Sequence, residues 1–257
     1  SLKLLGILTV KGGTNAVIEY FGPGASSISC TGKATITNMG AELGATTSIF
    51  PADDSMDRYL RGTERGGLAD LAGEYRHLLT ADPEVENDPE RFYSRVIHID
   101  LSALEPHLVG PHTPDLARPV SEMAAAVASE GYPDDLTATL IGSCTNSSYE
   151  DLSRVTDIVS QARAKGCKAA VPLLVSPGSE QIHATIQRDG QMEAMTSVGA
   201  TVLANACGPC IGQWRRDGME QGKANSIVSS FNRNFPKRND GNPGTLSFIG
   251  SPEMVAA

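Results

Sequence analysis

The stretch Leu136-Thr-Ala-Thr-Leu-Ile-Gly-Ser-Cys-Thr-Asn-Ser-Ser-Tyr-Glu150 decides the fold. Leu136 to Ile141 is apolar and β-branched, which reads as a strand. Gly142 interrupts the run, and small polar residues carry the chain to Tyr149. From Tyr149 to Ala164 the period becomes helical, with Leu152, Val155, Val159 and Ala162 on one stripe. Ala169 to Val175 is apolar again and ends at Ser176-Pro-Gly. Strand, helix and strand in that order imply a parallel pair joined by a right-handed crossover.

The same alternation extends in both directions. Ser121 to Glu130 is helical in composition, and Glu180 to Ile186 begins another helix. Ala200-Thr-Val-Leu-Ala204 and Ser226-Ile-Val-Ser-Ser230 read as strands. Residues 1 to about 103 differ in texture, being Gly-rich with short apolar segments. There Ala16 to Tyr20 and Arg95 to Ile99 read as strands and Thr31 to Gly44 as a short helix. Glu105 to Pro114, rich in Pro and His, reads as a linker or a long functional loop. The expectation is an α/β protein of two α/β domains, over 1–103 and 104–257. Both have mainly parallel sheets and flanking helices, the first being incomplete.

Composition narrows the function. The 257 residues carry 21 Lys plus Arg and 30 Asp plus Glu, a net charge of −9. That balance weighs against nucleic-acid binding, which needs a basic footprint. A few local arginines can still attract an anionic small substrate. Hydrophobic residues at 40% and charged residues at 20% exclude a disordered chain. No apolar run approaches the roughly 18 residues of a membrane span. Ala81-Asp-Pro-Glu-Val-Glu-Asn-Asp-Pro-Glu90 reads as an exposed, solvating loop. Five cysteines at irregular spacing do not make a secreted disulfide framework; thiolate chemistry or a metal site in a reducing compartment fits better.

The chemistry gathers after the predicted strands. Cys144 follows 136–141. Cys207 and Cys210, in Ala204-Asn-Ala-Cys-Gly-Pro-Cys-Ile-Gly212, follow 200–204. Arg233 and Arg238, in Ser230-Phe-Asn-Arg-Asn-Phe-Pro-Lys-Arg-Asn-Asp240, follow 226–230. Ligands of an open parallel sheet bind at the carboxyl ends of its strands, so three distant loops can meet at one place. Taken singly, Cys144 is most simply a buried core thiol and Arg233 a surface cation. A Cys-x-x-Cys pair serves redox chemistry, half a zinc site or an iron–sulfur site. Three thiolates with no evident fourth ligand suit a cubane with one iron left open, which acts as a Lewis acid. Cys30 and Cys167 read as structural.

The residues resemble the aconitase family, the mitochondrial-type aconitate hydratases in particular. The matching stretches include Glu19-Tyr-Phe-Gly-Pro-Gly24, Ser29-Cys-Thr-Gly32 and Asn38-Met-Gly-Ala-Glu-Leu-Gly-Ala-Thr-Thr47. They continue with Ile141-Gly-Ser-Cys-Thr-Asn-Ser-Ser-Tyr-Glu-Asp151, Pro177-Gly-Ser-Glu-Gln181, Ala204 through Trp214, and Asn232-Arg-Asn-Phe235 with Arg238-Asn-Asp240. The resemblance implies a [4Fe-4S] cluster at the strand ends, held by Cys144, Cys207 and Cys210, with Asn38 and Asn232 in its environment. Glu42 would contact the open iron's water or the substrate hydroxyl; taken alone, it reads equally as a capping or solvent-facing helix residue. Arg233 and Arg238 would bind substrate carboxylates, as bidentate guanidinium pairing favours. The implied reaction interconverts citrate and isocitrate through cis-aconitate, in the mitochondrial matrix or alternatively the cytoplasm.

Homoaconitate or isopropylmalate-type dehydration is the nearest alternative. A non-enzymatic cluster-binding or iron-responsive RNA-binding relative stands outside that class, and zinc is a third option. This sequence carries Pro236 and Lys237 where the family has smaller residues, and Thr37 where many relatives carry a non-ligand cysteine. The family's His/Asp acid pair, its catalytic Ser base and further arginines find no counterpart. The chain therefore reads as two adjacent domains of a longer enzyme, whose missing domains are its partners, and as inactive alone. Ser1 in place of an initiator Met fits an excised piece or a mature product.

Overall fold

The computed structural model describes residues 1–257. They form two compact units, Lys11–Leu104 and Ser1–Val10 with Glu105–Ala257. The chain opens with α1 (Leu2–Leu8), which buries Leu4, Leu5 and Leu8.

The smaller unit runs through β1 (Val17–Glu19), α2 (Pro23–Ser26), α3 (Cys30–Asn38), a 3-10 turn (Met39–Leu43) and β2 (Thr47–Ile49). It continues through α4 (Asp54–Gly62), α5 (Gly66–Glu74), α6 (Pro83–Asn87) and α7 (Pro89–Phe92). β1 and β2 form a parallel pair with Val17 opposite Thr47. The Ser29 side chain caps α3 by accepting from the Gly32 amide. Asp53 caps α4 through the Ser55 and Met56 amides and also pairs with Lys33, whose side chain is only 3% exposed. Two expectations fail here. Arg95–Ile99 alternates as a strand would but pairs with no strand, and pairing is what makes an extended segment a strand. The acidic segment 81–90 contributes to two exposed short helices, because Pro83 and Pro89 sit at first helical positions, where proline's fixed φ is favourable.

The larger unit adds β3 (His107–Val109), β4 (Ala117–Pro119), α8 (Val120–Glu130), β5 (Leu136–Gly142), α9 (Tyr149–Ala164) and β6 (Leu173–Ser176). Then come α10 (Glu180–Arg188), α11 (Gln191–Ser197), β7 (Thr201–Val202), β8 (Asn225–Ser229), β9 (Thr245–Ile249) and α12 (Pro252–Ala256). Its seven strands are ordered β4-β3-β9-β8-β5-β6-β7. From β9 to β7 every pairing is parallel, and β3 is antiparallel to both neighbours. The segment 105–114 is thus no linker: its centre is β3, with Val109 fully buried beside Ile249. Residues 1–10 likewise leave the first domain expected for them. The apolar side of α1 packs on β3 and β4, with Gly6 so near Ala117 that a Cβ there would lie 2.7 Å from its methyl.

β5 is central and buried on both faces. Ile141 joins Leu152, Val155 and Val159 of α9, Ile186 of α10 and Met195 of α11 in one core. Ala138 and Leu140 face the other way and pack with Ile227, Phe231 and Cys210. The chain steps from β5 to β6 to β7 on one side and then returns to β8 and β9 on the other. The order therefore reverses between β5 and β8, the kind of switch point where loops diverge and leave a crevice.

Candidate functional site

The loop after β5 carries Cys144. Gly142 takes φ 106°, and a Cβ there would lie 1.9 Å from the Ser176 carbonyl oxygen, so only glycine lets β5 and β6 run side by side to this point. The Gly142 amide donates to Ser230 Oγ (3.0 Å), and Asn146 Nδ2 donates to the Ser230 carbonyl (2.7 Å). The cysteine loop is thereby tied to the end of β8. Ser147 Oγ bonds the Ser143 carbonyl, while the Ser147 carbonyl accepts from the Gly178 amide after β6 (3.1 Å). Ser148 then starts α9 with a capping box shared with Asp151. Cys144 itself is exposed, its sulfur 3.7 Å from Thr145 Oγ1.

The loop after β7 carries the second and third thiols. Asn205 Nδ2 donates to Glu180 Oε1 at the start of α10 (2.6 Å). The turn closes through Cys210 N to Cys207 O (2.6 Å). Cys207 is exposed, whereas Cys210 is 3% exposed inside the Leu140–Phe231 core. The Cys210 thiol donates to Asn232 Oδ1 at 3.8 Å, so the structure brings these two predicted residues together.

Asn232, Arg233 and Arg238 follow β8. Asn234, fully buried, anchors this loop by donating to the Ser247 carbonyl (3.1 Å). Phe235, Pro236 and Lys237 protrude into solvent in a turn closed by Arg238 N to Phe235 O (3.0 Å), with Lys237 at φ 63°. The larger residues at 236 and 237 are thus accommodated on the outside. Arg238 Nε is buried without a hydrogen-bond partner, a donor placed to receive an anionic oxygen.

Asn38 and Glu42 belong to the smaller unit. Asn38 ends α3, and Glu42 is buried in the following 3-10 turn. Asn38 lines a polar hollow of about 470 Å³ with Thr37, Gly40, Thr47 and Ser48. Thr37 Oγ1 is spent on the Lys33 and Ala34 carbonyls of its own helix.

The sequence profile of the Aconitase family (aconitate hydratase) matches residues 1–257. The chain belongs to the aconitase family. Among its relatives, the mitochondrial aconitate hydratase of Schizosaccharomyces pombe is 55% identical over 256 residues, which are 100% of this chain and 32% of that protein. The Saccharomyces cerevisiae enzyme of the same name is 56% identical over 257 residues, again 100% of this chain and 32% of that one. The chain thus spans about a third of the length of these curated relatives. Crystalline holo-form aconitase X of Thermococcus kodakaraensis is 18% identical, with a TM-score of 0.32 over 46% of this chain and 28% of that one, too distant to support an argument.

The family resemblance implies a cluster, and the donor set fits one in kind. All five cysteines are free thiols. Cys144 and Cys207/Cys210 lie on loops leaving β5 and β7, and the orphaned Arg238 Nε lies on the loop leaving β8 beside β5. No three His, Cys, Asp or Glu side chains are disposed to hold a metal ion as they stand. Sequence reading missed Arg216, Ser230, Asn146 and Asn239, which hold these loops. Arg216 stands between Arg215 and Asp217 in the sequence, and only the fold buries its side chain, against Asp240.

Proposed function

We propose that this chain is the cluster-bearing part of an iron–sulfur hydro-lyase that isomerises citrate and isocitrate through cis-aconitate. The observation that carries the reading is the set of three free thiols, Cys144, Cys207 and Cys210, on loops at one end of a parallel sheet, together with the unpartnered buried donor of Arg238. The relatives' names, which are those of mitochondrial aconitate hydratases, favour the matrix as its compartment.

Cys144, Cys207 and Cys210 would hold a [4Fe-4S] cluster. When bound, such a cluster supplies one iron with no thiolate, a Lewis acid for a substrate hydroxyl. Arg238 and Arg233 would grip substrate carboxylates and fix which carbon presents its hydroxyl and which its proton. Glu42 would hydrogen-bond the departing hydroxyl group. Asn232 meets the Cys210 sulfur through its amide; ionisation of that thiol favours the flipped amide, which turns an N–H toward the sulfur. The proton-abstracting base would come from another part of the longer enzyme.

Anaerobic addition of iron and sulfide tests this reading. Visible absorption and EPR are expected to show a four-iron cluster that loses one iron on mild oxidation. Cys207→Ser is expected to abolish it and Cys167→Ser to leave it intact. Stoichiometric zinc without sulfide-dependent absorption, or equal loss in both variants, would refute the assignment.

A further inference from the structure

The Cys207–Cys210 turn and the Arg238 loop leave different strands, yet two buried polar links bind them. Asn239, 2% exposed, donates from Nδ2 to the carbonyl of Pro209, inside the turn (3.1 Å). Just beyond the turn, Arg216 reaches Asp240 (3.2 Å), with side chains 8% and 3% exposed. A buried pair is stable only if its remaining groups are also bonded. Here Arg216 also donates to Asn225 Oδ1 (2.8 Å) and Thr137 Oγ1 (2.7 Å) and lies 4.9 Å over the Trp214 ring. Asp240 in turn accepts from Thr245 Oγ1 (2.7 Å) and the Asn242 amide (3.0 Å). Between the two links the backbones nearly touch: a Cβ on Gly212 would lie 3.4 Å from the Arg238 carbonyl oxygen. Asn239 and Asp240 directly follow Arg238, so whatever fixes them fixes the base of that arginine.

We propose that Asn239 and the Arg216–Asp240 pair are positioning residues that hold the Cys207–Cys210 turn in register with Arg238. They set where two thiols stand relative to the guanidinium, so a group held by the thiols and a carboxylate held by Arg238 share one frame. The links themselves are features of the protein alone; what the thiols hold rests on the function proposed above.

The test reads the thiols of the metal-free chain by site-resolved alkylation with iodoacetamide. Cys210 is the reporter because it is buried; the exposed Cys144 and Cys167 are internal controls. In Asn239→Ala, alkylation of Cys210 is expected to rise about tenfold, the change in local opening that loss of one buried hydrogen bond produces, with Cys144 and Cys167 unchanged. Arg216→Lys keeps the charge but loses the two-pronged geometry, and serves if Asn239→Ala fails to fold; a smaller selective rise at Cys210 is expected. After addition of iron and sulfide, the EPR line shape of the mildly oxidised cluster is expected to differ between Asn239→Ala and the parent. An unchanged Cys210 rate, or an equal rise at every cysteine, overturns the proposal. A selective Cys210 response in a chain that takes up no cluster upholds the positioning role and overturns the cluster assignment instead.

Discussion

Gly142→Ala is the substitution for which the structure yields the sharpest number. The methyl group would lie 1.9 Å from the Ser176 carbonyl oxygen and 2.8 Å from its carbon, both main-chain atoms that no rotamer change can move aside. Relief requires β5 and β6 to part by more than 1 Å where Gly142 faces Ser176, to bring that contact even to 3.0 Å. Parting them breaks the bond from Ser143 N to Ser176 O (3.2 Å). A non-glycine residue at φ 106° adds strain. Strain of about 1–3 kcal/mol and about 1 kcal/mol for the lost bond, with further cost from disturbed packing, give about 3–5 kcal/mol.

That loss corresponds to a fall in Tm on the order of 10 °C for a unit of this size. Gly166→Ala is the control. Gly166 has φ 77°, follows α9 and has nothing within 4 Å of its would-be Cβ, so only backbone strain of about 1–2 kcal/mol applies. Thermal unfolding followed by circular dichroism separates the two. If Gly142→Ala melts within about 2 °C of Gly166→Ala, the steric reasoning fails. The opened strand pair lies just before Cys144, so Gly142→Ala is also expected to take up less iron.

Acidification is expected to weaken the smaller unit through Asp53. Burial would raise its pKa, but bonds from Lys33, Ser55 and the Met56 amide together hold it below the usual carboxylate value. Its contribution is therefore fully present above the unfolded pKa of about 3.9 and fades as pH falls through the lower folded value. Asp53→Asn keeps the helix cap but takes the counter-ion from the buried Lys33, which retains only Ser55 Oγ (3.2 Å) and the Phe50 ring. It is expected to cost about 3 kcal/mol at neutral pH, the low end for a buried pair because Asp53 keeps 18% exposure, and to flatten the acid side of a urea-stability profile. Ser148→Ala removes the bond from the Asp151 amide to Ser148 Oγ (3.1 Å) in the capping box at α9 and leaves the one from the Ser148 amide to Asp151, with an expected loss of about 1 kcal/mol in urea unfolding; an unchanged midpoint would show that the side-chain cap is dispensable.

Periodicity along the chain made β5 and α9 legible, because each buries an apolar stripe whose repeat is a local property, and the Ile227-Val228 pair marked β8. The same reasoning misread Arg95–Ile99 and overlooked β3, β4 and β9. A three-residue strand such as His107-Leu-Val109 has no period to detect and exists only because β4 and β9 pair with it. The motif residues Cys144, Cys207, Cys210, Asn232, Arg233 and Arg238 were legible one by one, and their positions after strands suggested a common sheet edge.

The sequence by itself determined the α/β class, the placing of thiols and guanidinium groups after strands, and the family, since composition, spacing and motif all reside in neighbouring residues. Tertiary structure alone decided that β8 lies beside β5 rather than beyond β7, which ties the start of the loop after β8 to the Cys144 loop through Asn146 and Ser230. It alone decided that Arg216, in a run of charges, is buried against Asp240 and Thr137, and that Cys210 belongs to a core while Cys207 faces solvent. Strand order and polar partners are settled by which distant surfaces exclude water together, and no local period records that choice.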